Sequence, residues 1–175
     1  IYCDNLHMKL YTMLIKIKKK TVLINKSYKF KCAVGKNGIK KNKIEGDKAT
    51  PAGTYSLGKL YYRADRIKKI KTKLSKKIIK KRMGWCDSVI NKNYNKEIKI
   101  KSKFGFEKLY RYDYKYDAFI VINYNTNNPI RGKGSAIFIH LTKNYKPTAG
   151  CITLSLKDFL IFAKLCNKKT KILIT

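Results

Sequence analysis

Short runs of β-branched and aromatic residues, broken at close intervals by glycine, proline and asparagine, recur along nearly the whole sequence and constrain it to a strand-rich fold. Residues 10–17, 21–24 and 28–34 carry partial alternation of apolar and polar positions, as a half-buried strand requires. Turn chemistry follows in Gly35-Lys36-Asn37-Gly38, Glu45-Gly46-Asp47 and Pro51-Ala52-Gly53, and 55–62 resumes as a strand. Residues 118–123 and 136–141 are continuous apolar runs of the kind found in strands covered on both faces. A helix is predicted from Ser155, with Asp158 three residues on as a capping-box-like signal and Leu156, Phe159, Leu160, Phe162 and Ala163 as its core-facing side. Residues 171–175 close the chain as a strand. The run 66–82 is ambiguous: Ile67, Ile70, Leu74 and Ile78 fall at helical spacing, giving either a basic amphipathic helix or an extended flap. With no internal repeat and no linker, residues 1–175 read as a single α+β domain, mainly β.

A chain of 175 residues buries roughly 70% of its unfolded surface and needs no disulfide or metal to fold. No stretch approaches the roughly 20 apolar residues of a membrane-spanning helix. The charge is unusual: 42 Lys and Arg against 10 Asp and Glu leave +32. Such a field attracts polyanions, whether nucleic acid, anionic lipid or an acidic wall polymer. The cations are nearly all Lys and are scattered, and Ile, Asn and Tyr are abundant beside them, a pattern that A/T-rich codon use also produces. Nucleic-acid modules favour Arg interleaved with stacking aromatics, so no specific nucleic-acid partner is expected. No secretory signal is visible, because Lys16 and Lys18 interrupt the first apolar segment.

Cys3, Cys32, Cys86, Cys151 and Cys166 form an odd set without a C-x-x-C pair, and His7 and His140 are the only histidines. That inventory indicates neither a disulfide framework nor a metal site. The arrangement with chemical potential is Ile137-Phe138-Ile139-His140-Leu141, a polar loop, then Thr148-Ala149-Gly150-Cys151. A buried strand delivers an imidazole, and a glycine-containing loop returns a thiol just before the helix. A thiol nucleophile needs such a base, because free cysteine is mostly protonated near pH 7. Gly150 permits close backbone approach, and amides at Gly150 and Cys151 are candidate donors to an oxyanion. On these residues alone, a small buried Cys and a satisfied core His remain the alternative.

The flanking residues carry a resemblance. Glu45-Gly46-Asp47-Lys48-Ala49-Thr50-Pro51-Ala52-Gly53-Thr54-Tyr55 resembles the G-D-x-x-T-P-x-G-x-aromatic signature of L,D-transpeptidase (YkuD-type) catalytic domains. The His140 to Cys151 segment is similar to that family's second signature, and 83–87, 94–95, 109–111, 116–118 and 131–138 resemble one bacterial branch of it in the right order. The resemblance covers about 28–175. The departures are that Ala149 replaces the usual second His, that the interval from His140 to Cys151 is shorter than the common one, and that Thr153 replaces the basic or amide residue that often lies two positions after the Cys.

The resemblance implies a β-sandwich of mixed sheets with a short helix following the Cys loop. It implies Cys151 as nucleophile and His140 as its base, without cofactor, acting on peptidoglycan stem peptides in the periplasm or cell wall. Acyl transfer to an amine would give a 3–3 cross-link, and transfer to water a carboxypeptidase; a basic module binding anionic polymer is the non-enzymatic rival. Trp85, Asp87, Tyr110 and Thr148 are the expected cleft residues, packing and turn roles being the alternative for the first three. Arg131 or a nearby Lys is the expected contact to a substrate carboxylate, and Thr50, Pro51 and Gly53 are expected to shape a supporting turn.

Overall fold

A computed structural model of the chain describes residues 13–18, 20–24, 27–101 and 105–175. Cys3, His7 and the start of the strand expected at 10–17 lie outside these residues. The architecture is mainly β, with mixed sheets and one short helix near the C-terminus.

Three strands open the fold: β1 (Leu14–Lys18), β2 (Thr21–Ile24) and β3 (Tyr28–Lys31), each antiparallel to the next. Alternation places Ile15, Ile17, Val22, Ile24 and Phe30 inside. The strand expected over 28–34 stops at Lys31 because the chain turns away to reach the far edge of the sheet. There Ala33 exchanges bonds with Thr153, and Val34 O accepts from Thr148 N at 3.0 Å. A short parallel pair, β4 (Ile39–Lys40) with β5 (Thr50–Pro51), frames the first signature segment.

β6 (Gly53–Tyr62) is the hinge of the architecture. Its first half, Gly53 to Ser56, pairs with β14 (Lys171–Ile174), and its second half pairs with β11 (Ala118–Ile122). β11 continues to β12 (Phe138–Leu141), and β12 runs parallel to β13 (Ile152–Leu154). The strand order is therefore β13-β12-β11-β6-β14-β1-β2-β3, with β7 (Lys76–Ile78) also paired to β6.

The run 66–82 resolves as extended chain, not helix. Ile70 and Leu74 are buried, whereas Ile78 is 47% exposed. Its backbone bonds go to β6 instead: Leu60 N donates to Ser75 O at 2.9 Å and Ile79 N to Tyr62 O at 2.8 Å. The run contains no acidic residue to offset repulsion between lysines one turn apart, so an isolated helix there lacks support.

Residues of β11 and β12 are buried on both faces. Ile120, Ile122 and Ile139 face a large aliphatic core completed by α1 (Leu156–Leu165), whose Phe159, Phe162 and Ala163 are fully buried. The Ser155 side chain caps α1 by accepting from Asp158 N at 3.1 Å. Phe119, Val121 and Phe138 face the other way, into an aromatic cluster with Tyr61, Trp85 and Tyr116. A three-stranded sheet, β10 (Phe106–Lys108), β8 (Met83–Cys86) and β9 (Glu97–Lys99), contributes Met83 and Trp85 to that cluster.

Candidate active site

Strand parity aims His140. It shares the face of Phe138, so it points to the aromatic cluster that also contains Cys151, while Ile139 and Leu141 enter the aliphatic core. The imidazole stands edge-on to Tyr116 with ring centres 5.3 Å apart. Its Nδ1 lies 3.0 Å from Leu141 O. A carbonyl oxygen only accepts, so Nδ1 carries the proton and Nε2 keeps its lone pair. Burial holds the imidazole down to about 4 against its ordinary 6.5, opposed by that backbone bond and reinforced by Lys115 and Arg111.

The thiol arrives on a loop fixed from several directions. Thr148 Oγ1 donates to Cys151 O at 2.6 Å and accepts from Gly150 N at 3.0 Å. Thr50, fully buried, accepts from Gly35 N at 2.8 Å and donates to Gly150 O at 2.7 Å. Gly150 has φ +147°, and a Cβ there would lie 2.9 Å from Ala49 O, so only glycine fits without strain. Cys151 Sγ donates to Ala136 O at 3.2 Å and accepts from Phe138 N at 3.4 Å. Burial, then the nearby Glu107 charge, pushes this thiol up to about 12. At rest the pair is a neutral thiol and a neutral imidazole.

Both groups open onto one cleft of about 650 Å³. The sequence-predicted Asp87, Thr148 and Gly150 line it too. Burial and the neighbouring Glu45 carboxylate raise the Asp87 pKa. Trp85, Tyr110 and Arg131 fall outside the lining. Trp85 is buried, its Nε1 donating to Asn95 Oδ1 at 2.9 Å and its ring meeting Phe138 edge-on at 5.1 Å. Tyr110 lies under the Arg63 guanidinium, 3.6 Å from ring centre to Cζ. Arg131 is exposed. The cations that do line the cleft are Lys48, Arg111, Lys115 and Lys146. Thr153 is buried, its Oγ1 accepting from Ala33 N at 3.3 Å, which makes it a tie between sheet edges.

Sequence reasoning did not single out Glu107, Arg111 or Tyr116 as site residues. Tyr116 Oη donates to Glu107 Oε1 at 2.6 Å beside the thiol. The available signal was a segment resemblance around 109–118, without a role for any side chain.

Cys32, Cys86 and Cys166 are buried, like Cys151, but lie outside the cleft lining. Among the described residues there is no cluster of three or more potential metal ligands, and no helix is long and apolar enough to cross a membrane.

The L,D-transpeptidase catalytic domain model matches residues 11–174, and the chain belongs to that family. Among solved structures the chain is similar to the helical cell shape determining protein Pgp2 from Campylobacter jejuni, at 19% identity and a TM-score of 0.49 over 93% of this chain and 47% of that one. It is similar to Bd1075 from Bdellovibrio bacteriovorus at 15% identity and a TM-score of 0.46, over 93% and 47% of the two chains. L,D-transpeptidase 1 from Mycobacterium tuberculosis gives 10% identity and a TM-score of 0.45, over 94% and 59%. The chain thus spans about half the length of these proteins. A search of curated proteins finds no match.

Proposed function

We propose that this domain is a cysteine acyltransferase acting on peptidoglycan stem peptides in the periplasm or cell wall. The observation that carries the reading is the shared cleft: one thiol and one imidazole with a free Nε2 lone pair open onto it together. Because the thiol is held protonated and the imidazole neutral, the thiolate is not preformed. Sγ–H turns from Ala136 O to His140 Nε2 as sulfur attacks the carbonyl between the third stem residue and terminal D-alanine. The Sγ–C bond forms while the proton passes to Nε2, which is general-base catalysis. Gly150 N already donates to Thr148 Oγ1, so the Cys151 N–H is the amide we assign to the oxyanion.

Collapse of the tetrahedral intermediate breaks the C–N bond, and the imidazolium returns its proton to the departing D-alanine amine. A thioester on Cys151 remains. Lys48, Arg111, Lys115 and Lys146 supply the cationic groups that a stem-peptide carboxylate would meet, in place of Arg131. The +32 charge holds the domain near an anionic wall polymer. The test is mass analysis of the protein mixed with a tetrapeptide stem. An adduct of stem minus D-alanine on the Cys151 peptide supports the reading, and added amine or water then reports the acceptor. No adduct and no released D-alanine would refute it.

A further inference from the structure

The acyl-transfer steps leave Glu107 without a task, although it stands beside the thiol. β10 presents it from the covering sheet, in register with Trp85 on β8. Its Oε1 accepts the Tyr116 hydroxyl at 2.6 Å. Arg111 Nη1 lies 3.6 Å from the same oxygen, but Arg111 is tied more closely to Asp113, at 2.6 Å.

The Tyr116 ring cannot swing. It is 4% exposed and packed against His140 at 5.3 Å, Phe119 at 5.1 Å and Phe138 at 5.9 Å, with the Arg111 guanidinium 5.2 Å over its face. What can turn is its single hydroxyl proton. Tyr116 and Cys151 belong to one packed cluster and line one cleft, and a hydrogen bond from the Tyr116 hydroxyl favours the thiolate. One proton therefore has two acceptors, the Glu107 carboxylate and the developing sulfur anion.

We propose that Tyr116 and Glu107 are a positioning pair for the nucleophile, in which the charge on Glu107 decides whether the Tyr116 proton is held by the carboxylate or turned to Cys151 Sγ. Ionised Glu107 holds the proton. Protonated Glu107 instead donates to Tyr116 Oη, and Tyr116 then donates to the sulfur while the thiol proton passes to His140 Nε2. The proton on Glu107 comes from solvent in the cleft, and no other bond changes. Burial raises the Glu107 carboxyl pKa, opposed by its bond from Tyr116 and by the Arg111 charge, while Asp87 and Asp113 add repulsion. Beyond Tyr116, Lys43 and Glu107 also act on the Cys151 charge.

This rests on Cys151 being the nucleophile, but its test does not need the stem peptide. Alkylation of Cys151 by iodoacetamide is followed by peptide mass analysis across pH in wild type, Glu107→Gln, Tyr116→Phe and the double variant. In Glu107→Gln the side-chain amide donates to Tyr116 Oη and releases the hydroxyl proton. That variant should alkylate about tenfold faster near pH 7, one pKa unit being tenfold in thiolate. Tyr116→Phe, which keeps the packed ring, should change little alone yet abolish most of that gain in the double variant. An equal gain in the double variant would show that Glu107 acts by charge alone and overturn the proposal, as would no gain at all. If Glu107→Gln does not fold, the wild-type and Tyr116→Phe profiles decide. Tyr116→Phe should be slower than wild type only below the pH at which Glu107 ionises, and a constant ratio at every pH would overturn the pairing. Failure here with a stem adduct still forming on Cys151 would leave the acyltransferase reading standing.

Discussion

Thr50 Oγ1 donates to the Gly150 carbonyl at 2.7 Å, so the first signature segment physically holds the second, 100 residues away in sequence. The same hydroxyl accepts from Gly35 N at 2.8 Å, and both bonds are buried. Thr50→Val keeps the volume and removes both bonds. A buried polar group left unpaired costs about 1–3 kcal/mol, so urea unfolding should report a loss of that order. Acylation of Cys151 should fall further than stability alone explains, and Thr50→Ser should recover most of it. Unchanged acylation in Thr50→Val would show that the loop is held without this bond.

Cys151→Ser should abolish formation of the stem adduct, because a hydroxyl is a far weaker nucleophile at neutral pH. Cys166 is also buried but sits at the end of α1 in the aliphatic core. Cys166→Ala should therefore lower the urea midpoint and leave the adduct intact. Equal loss of adduct in both variants would mean that folding, not chemistry, is being read.

His140 links function to acid stability. Its folded pKa, about 4, lies below the ordinary 6.5 of an unfolded imidazole. The unfolded chain therefore takes up the proton first on acidification. The stabilisation is complete above pH 6.5 and is lost as pH falls through 4, on the order of 3 kcal/mol in all. Urea midpoints measured between roughly pH 7 and 4.5 should fall in wild type, and the fall should be shallower in His140→Gln. Removing the base should also slow acylation at pH 7 by roughly 10²–10⁴-fold. A variant that acylates at the wild-type rate would make His140 structural.

Trp85→Phe tests a residue outside the cleft lining. It removes the bond to Asn95 and shrinks the aromatic cluster, so the loss should appear as lower thermal stability. KM for a stem peptide should stay within a factor of about two, well under the tenfold that about 1.4 kcal/mol of lost binding represents. A large rise in KM with unchanged stability would place the indole against substrate.

The legible part of the molecule was the part whose chemistry is local. The helix start could be read because Ser155 and Asp158 are neighbours, and the strand holding His140 because its apolar run is continuous. The cleft was legible only along the segments that supply its loop. Glu107 and Arg111 reach it through the pairing of β10 with β8 and the packing of that sheet over β11 and β12, a register that no short motif encodes. Trp85 could be read either as cleft or as packing until its partner Asn95 was placed. In 66–82 the apolar spacing left a helix and an extended flap both open, because pairing to β6 leaves no trace in the local pattern.

β14 is the last element in chain order, yet it lies between β6 and β1 in the middle of the largest sheet. Strands β1 to β3 join the rest of that sheet through β14, apart from the contact of Ala33 with Thr153. A ribosome carrying this chain would therefore hold an incomplete sheet with two exposed edges until Ile174 has left the exit tunnel. Native assembly of the sheet should then wait for that strand and be slow, as expected of strand pairings between distant parts of a sequence. A stalled nascent chain lacking only 171–174 should remain protease-sensitive throughout, and release of that last strand should protect the whole domain in one step.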